Sequence, residues 1–490
     1  SRSMPAPAEV AAPDHREQPR VIGAASALGI CIASMIGSGI FFATGEVGAS
    51  LGSSFNVLFC WIAAGAIALA GAITLAEVAA MRPRASAQYV VVHEALGGVA
   101  GFLSGMITLL IGYLASTAAV ALVAGNYVQA LAPETDPRVV ATLLLLGLGA
   151  IHAVTVVGGS RLNDLLVVVK VAVVLLIVVA GFWTEFTTGI EAILPSAELL
   201  DAARLADPGG VLASIPADAD RATVEALLRD APAPSALSAA CGAAVIAITF
   251  AYLGWSNAAD VAGEVTRPGR NVPIAVIGSV VMVGTLYLLA NVVYLWTVPP
   301  VAMVEVAPDG GLKSMTGLGS VVAVHLFGER GGWIITAAIV LLMASTLSVG
   351  IMTCGRVIAA MAWKGELPRA AGTLNRRGAP TPAILAQIAI AIALVWISGI
   401  RSLLEYVGVL TTFAVILTML AAMVLRARQP DEPRPFRMPL YPLPPLVAIG
   451  VGAWIVTSSA IADWRPAAAS VATVAAMLVV RPLLANRPAG

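Results

Sequence analysis

"IASMIGSGIFF", residues 32–42, interrupts an apolar run with Ser34, Gly37, Ser38 and Gly39. Glycine costs about 1 kcal/mol relative to alanine inside a helix, and a broken helix leaves backbone groups without partners. In lipid such a break survives only where it lines a cavity and something else satisfies those groups. A half-helix starting at Ser38–Gly39 aims free N–H groups and the positive end of its dipole into that cavity, a setting suited to a carboxylate. A Cβ at Gly37 or Gly39 would crowd such a carboxylate. A helix-packing face of small residues accounts for the same spacing equally well.

Outward from this stretch the chain is a succession of apolar segments. Of 490 residues 59% are apolar and 11% charged, with no net charge, against about a quarter charged in soluble domains. Spans of about 20 apolar residues cross the hydrocarbon. Twelve are expected, at 21–49, 54–81, 98–131, 138–157, 161–183, 238–265, 273–298, 331–363, 381–399, 402–426, 442–461 and 466–484; Pro-rich 433–445 and the long third span leave eleven or thirteen open. The reading is an all-α integral membrane protein: a tail over 1–20, a ten-helix core over 21–430, and two further spans with a tail over 431–490. Nineteen of the 28 Lys and Arg residues fall on the side of the N-terminus, eight on the other, and Lys170 within a span. Both termini are therefore expected in the cytoplasm, in the cell membrane. Ser1–Ser3 ahead of Met4 read as a cloning remnant, and the polar stretch to Arg20 lacks the apolar region of a cleaved signal peptide.

A loop over 184–237 carries nine acids against three arginines. "SAELLDAARLA" and "DRATVEALLRDA" have helical spacing behind capping residues Ser196 and Asp220, so a small acidic cap over the outer mouth is expected. It reads as a solvated insertion or as a binding module.

A second break is legible in "ITFAYLGWSNAADVAGEV", residues 248–265, with Gly254, Ser256 and Asn257 in mid-span. Breaks in corresponding spans of two halves point to a transporter site at a repeat interface. Beside such a break Phe250, Tyr252 and Trp255 read as gate or pocket wall, or as ordinary core aromatics. Lys170, some ten residues into "DLLVVVKVAVVLLIVV", is expected to face the bundle interior, since a charge at that depth costs roughly 2.5–3.5 kcal/mol. His152 reads as a satisfied core histidine. Ser345, Thr346 and Ser348 bond their own helix or a partner. Asp260 and Glu264 beside Arg267 and Arg270 read as a salt-bridged inner gate, and Glu77 with Arg82 and Arg84 reads the same way. Cys31, Cys60, Cys241 and Cys354 have no metal-site spacing and read as small buried residues. No metal site, cofactor motif or catalytic signature appears, which argues against an enzyme; zero net charge argues against a nucleic-acid partner.

These stretches, with "LAEVAAMRPRASAQYVVVHEALG" (75–97) and "GRVIAAMAWKGELPRAAGTLNRRGAPTPA" (355–383), resemble the amino acid–polyamine–organocation superfamily of LeuT-fold transporters. Span six is most similar to the L-type exchanger branch, and "TGEVG" (44–48) to the cationic amino acid branch. The resemblance implies a five-plus-five inverted repeat plus two C-terminal helices, working by alternating access. It implies that backbone at Ile36, Gly37, Ser38 and Gly39 holds a substrate carboxylate and that carbonyls near Phe250, Ala251 and Leu253 hold the amino group. Trp255 and Phe250 would line the path, with Phe250 as an outer gate. Lys170 matches the lysine that replaces sodium in sodium-independent members, and is expected between carbonyls near Ala33 and Ile36 and a hydroxyl of Ser345, Thr346 or Ser348. Leu253, where the L-type pattern has glycine, narrows the pocket. The expected activity is sodium-independent transport of a small or medium neutral amino acid by exchange or proton symport, with the substrate and the lipid bilayer as partners. A polyamine or cationic amino acid carrier is the alternative, and a channel fits less well. Oligomeric state is not legible.

Overall fold

The computed structural model describes residues 20, 22–82, 87–154, 159–216, 218–260, 262–306, 311–363, 367–377, 379–398 and 400–484; the tail read as a cloning remnant and Arg84 lie outside them. The first apolar stretch is two helices, α1 (Ala24–Met35) and α2 (Gly39–Leu51), joined by unwound Ile36–Ser38. Helix α3 (Ser54–Met81) follows, its first turn closed by Ser53 accepting from the Asn56 amide. After α4 (Ala87–Leu96), one long wall runs through α5 (Gly98–Ile107), a π-helical segment Thr108–Ala115 and α6 (Ser116–Leu131). Helices α7 (Pro137–Val154) and α8 (Gly159–Thr187) complete the first half.

The insertion forms α9 (Ala197–Ala206) and α10 (Arg221–Arg229), capped by Ser196 and Asp220 as their spacing indicates. The second broken helix is α11 (Ala239–Thr249), a 3-10 turn Phe250–Tyr252, the short α12 (Asn257–Asp260) and a 3-10 turn Ala262–Glu264. Helix α13 (Pro268–Thr297) leads to a hairpin of β1 (Val304–Val306) and β2 (Leu312–Ser314). Then come α14 (Leu318–Trp363), bent at Gly328, α15 (Thr381–Ile397), α16 (Ile400–Arg428), α17 (Leu443–Ala462) and α18 (Trp464–Leu484).

Helices α1, α3 and α13 pack together, α6, α7, α14 and α15 form a second group, and α17 backs α3 and α11. Leu143, Val168, Leu341 and Trp396 stay exposed, the outward apolar surface of a multi-pass membrane protein. Nine described helices or helix pairs are long and apolar enough to cross a bilayer; Ala239–Tyr252 and Thr381–Ile397 are apolar but shorter. Helix α4, the start of α14 before Gly328 and the hairpin go beyond the expected spans. They are too short or too polar to register as periodic apolar segments.

The expected salt bridges are redistributed. Buried Glu77 pairs with Arg426 (2.9 Å) and Arg434 (3.1 Å) and accepts from the Met438 amide (2.6 Å), while Arg82 turns to Glu94 and Glu432. A carboxylate with 3% of its surface exposed needs several donors, and α16 with the segment after it supplies them. Glu264 makes no ion pair among the described residues. Its carbonyl accepts instead from the Ile22 amide (3.0 Å), as the chain entering α1 pairs with Val265. The Asp260 side chain lies outside those described. All four cysteines are buried and none is disulfide-bonded.

Candidate functional site

The two breaks meet. A Cβ on Gly39 would stand 2.4 Å from Ala251, and one on Gly254 (φ +100°) 2.4 Å from Ser34 Cβ, so both glycines allow the unwound segments to touch. Cross-connections satisfy part of the freed backbone. Tyr287 of α13 places its Oη 2.6 Å from the Met35 carbonyl and 3.1 Å from the Ala251 carbonyl, one proton serving both. Cys31 Sγ donates to the Trp255 carbonyl and accepts from the Ala258 amide, and Asn257 Nδ2 donates to Ser34 Oγ (2.7 Å). Behind the second break Tyr287 packs edge to face with both Trp61 and Tyr252, which are tilted against each other.

The first break keeps its donors free. Gly37 N bonds Met35 O and Phe41 N bonds Ser38 O, but the amides of Ser38, Gly39 and Ile40 have no acceptor among the described residues. They are the first turn of α2, where a helix lacks internal acceptors. Ser38 Oγ is buried and unpartnered as well. At the second break the Leu253 carbonyl has no donor among the described residues, whereas the Phe250 carbonyl accepts from Leu253 N (3.2 Å) and that of Ala251 is taken by Tyr287.

Ser38 and Gly39 of the first break and Leu253 of the second border a cavity of about 160 Å³, which Ile40 does not reach. Gly37, Ser38, Gly39, Phe250, Leu253, Trp255 and Thr346 line it, with Asn257, the π-helical wall at Thr108, Gly112 and Tyr113, and Thr411 of α16. No Asp, Glu, Lys or Arg side chain lines it among the described residues. The cavity reaches Gln88 on α4, on the side where the described chain begins and ends; Phe250 stands against Phe42, ring centroids 6.0 Å apart. Ile36 and Ala251 are buried off the cavity, their side chains packed between helices. Tyr252 is core: its hydroxyl bonds the Trp61 carbonyl.

Lys170 lies behind the first break, fully buried. Its Nζ donates to the Ala33 carbonyl (2.8 Å) and to Thr346 Oγ1 (2.7 Å), and Thr346 in turn donates to the Leu342 carbonyl. Of the three hydroxyls expected there, only that of Thr346 meets it. Ser348 pairs with His152 (2.7 Å), which satisfies that histidine, and Ser345 is buried elsewhere on α14. The carbonyl of Ile36 is not among the partners. Residues three or four apart share a helix face, and Thr346 alone of the three faces α8.

Sequence reasoning missed Tyr287, Cys31 and the π-helical wall. A tyrosine in the aliphatic run "VGTLYLLANVV" was the available signal, because a buried phenol in lipid has to find an acceptor. A π-helical turn has no sequence signature of its own.

Two helices broken at facing points around one uncharged cavity, inside an apolar bundle, define a membrane transporter rather than an enzyme. The family profile of amino acid permeases matches residues 22–480, and the chain belongs to that family, whose members have the LeuT fold. It is 26% identical over 439 residues to the large neutral amino acids transporter small subunit 2 of Rattus norvegicus, covering 86% of this chain and 72% of that one. It is 26% identical to the serine/threonine exchanger SteT of Bacillus subtilis (90% and 91% covered) and to the Asc-type amino acid transporter 1 of Mus musculus (90% and 77%).

Proposed function

We propose that this permease is a sodium-independent carrier of small or medium neutral amino acids, working by exchange or proton symport with alternating access across twelve spans, both termini in the cytoplasm. The observation that carries the reading is the pairing of an uncharged cavity with the amides of Ser38 and Gly39, which line it without an acceptor among the described residues. A zwitterion brings its own two charges. Its carboxylate meets the N-terminus of α2, and its amino group meets the Leu253 carbonyl across the cavity. Lys170 supplies a fixed cation where a bound sodium would otherwise join the broken helix to α14, so no sodium is required. Leu253 on the wall limits side-chain size, and Phe250 against Phe42 is the gate on the side of the cap. The printed names of the relatives, neutral amino acid transporters and a serine/threonine exchanger, agree with this substrate class. A cationic substrate would call for an acidic side chain on the cavity, and none lines it among the described residues.

The test is uptake of labelled amino acids into sodium-free proteoliposomes, with and without unlabelled substrate inside. Neutral amino acids should enter; a strict need for internal substrate identifies exchange, and uptake driven by an imposed proton gradient identifies symport. Uptake that requires sodium would overturn the reading.

A further inference from the structure

The 184–237 insertion takes no part in the site, yet it is not a detached module. Ala203, Leu212, Ile215, Val224 and Leu228 form its buried core, and that core is completed by Val301, Val304 and Leu312. Those three residues belong to the segment between α13 and α14. Its hairpin has two strands of three residues, too small to be stable alone, and the insertion supplies the apolar surface it lacks. The insertion is tied down at both ends: Ile193 N donates to the Thr297 carbonyl (2.7 Å), and Asn56 Nδ2 to the Pro234 carbonyl (2.7 Å).

The underside of the hairpin segment rests on α2. A Cβ on Gly45 would fall 2.0 Å from the Met315 carbonyl, and one on Gly48 2.2 Å from Met303 Sδ. The glycines of "TGEVG" therefore form the seat of this segment. Just beyond it, Gly319 N donates to Tyr127 Oη (3.2 Å), which donates to the Phe41 carbonyl (2.6 Å), so α14, α6 and α2 are joined on one hydroxyl.

We propose that the described residues of the insertion, with residues 299–306 and 311–327, are one folded lid, in which the insertion's core holds the paired strands β1 and β2 down on the glycine face of α2 and so keeps the cap side of the transporter closed. This rests on the alternating-access reading above. Movement of α2 away from α6 breaks the Gly45 and Gly48 seat and the Tyr127 bridge together, and the stability of the insertion's core sets the cost of doing so.

The test places a reporter under the lid: Met303→Cys, a fully buried position, alkylated by a hydrophilic maleimide in nanodiscs. Leu228→Asp in the insertion core should raise the labelling rate about tenfold or more. Leu228→Ala, which creates only a cavity, should raise it less and serves if the aspartate variant does not fold. Unchanged labelling in a variant whose insertion has become protease-sensitive would overturn the proposal. Labelling reads the lid without transport, so a rise in a protein that fails to carry amino acids would sink the transport reading and leave the lid intact.

Discussion

Gly39 and Ala251 are in direct backbone contact range: a Cβ on Gly39 would lie 2.4 Å from both Cα and Cβ of Ala251. The sequence alone treats both glycines of the first break alike, as open to carboxylate approach or to helix packing. The structure separates them, because the Cβ of Gly39 would strike the second broken helix and that of Gly37 would meet Thr346 Cγ2 at 3.2 Å. Gly39→Ala is therefore expected to lower thermal stability and uptake together, at a cost of about 1–3 kcal/mol. Gly37→Ala should purify with near-native stability and show its effect in substrate affinity. Melting curves beside uptake kinetics distinguish the two.

Lys170 joins the broken first helix to α14 by donating to the Ala33 carbonyl and to Thr346 Oγ1. Removing it leaves the Ala33 carbonyl and the Thr346 hydroxyl oxygen without that donor, a loss of about 1–3 kcal/mol. Lys170→Met, which keeps the length of the side chain, should reduce uptake roughly 10- to 100-fold while yield holds. Thr346→Val should cost less, since the lysine retains Ala33. Full uptake in Lys170→Met would remove the residue from the mechanism.

Tyr287 links the two breaks through a single hydroxyl, so Tyr287→Phe keeps the ring stacked on Trp61 and deletes only the bridge. Uptake should fall about five- to tenfold, one buried hydrogen bond's worth, with little change in melting temperature.

Phe250 lines the cavity with its ring against that of Phe42, and is proposed as the gate. Phe250→Ala is expected to lower the maximal rate of exchange more than it raises KM, because a gate acts on occlusion rather than on the amides that hold the substrate. A change confined to KM would make Phe250 an ordinary pocket wall.

How much of this was legible beforehand follows from which physical signals a sequence carries. Glycines and serines at mid-span, and a lysine in an aliphatic run, are costly in lipid, so both breaks and the burial of Lys170 could be read from residue type. Register within α14 could not: Ser345, Thr346 and Ser348 are equivalent by composition, and only the packing of α14 against α8 selects Thr346. Ion-pair choice was equally illegible. Glu77 and Arg82 are close in sequence, but Glu77 faces Arg426 and Arg434, hundreds of residues away along the chain. The helical cap over 184–237 was legible from its spacing and capping residues, but its packing against Val301, Val304 and Leu312 was not, because two strands of three residues carry too little pattern to announce a partner.

The central claim is that an uncharged cavity and the amides of Ser38 and Gly39 that line it select neutral zwitterions without sodium. Equilibrium binding of a labelled neutral amino acid to the purified protein in sodium-free buffer, challenged in turn with serine, alanine, leucine, arginine, glutamate and putrescine, tests it most directly. Displacement by the neutral amino acids, with arginine, glutamate and putrescine each weaker than all of them, is the expected result. Displacement led by arginine or putrescine, or binding that appears only when sodium is added, would contradict it.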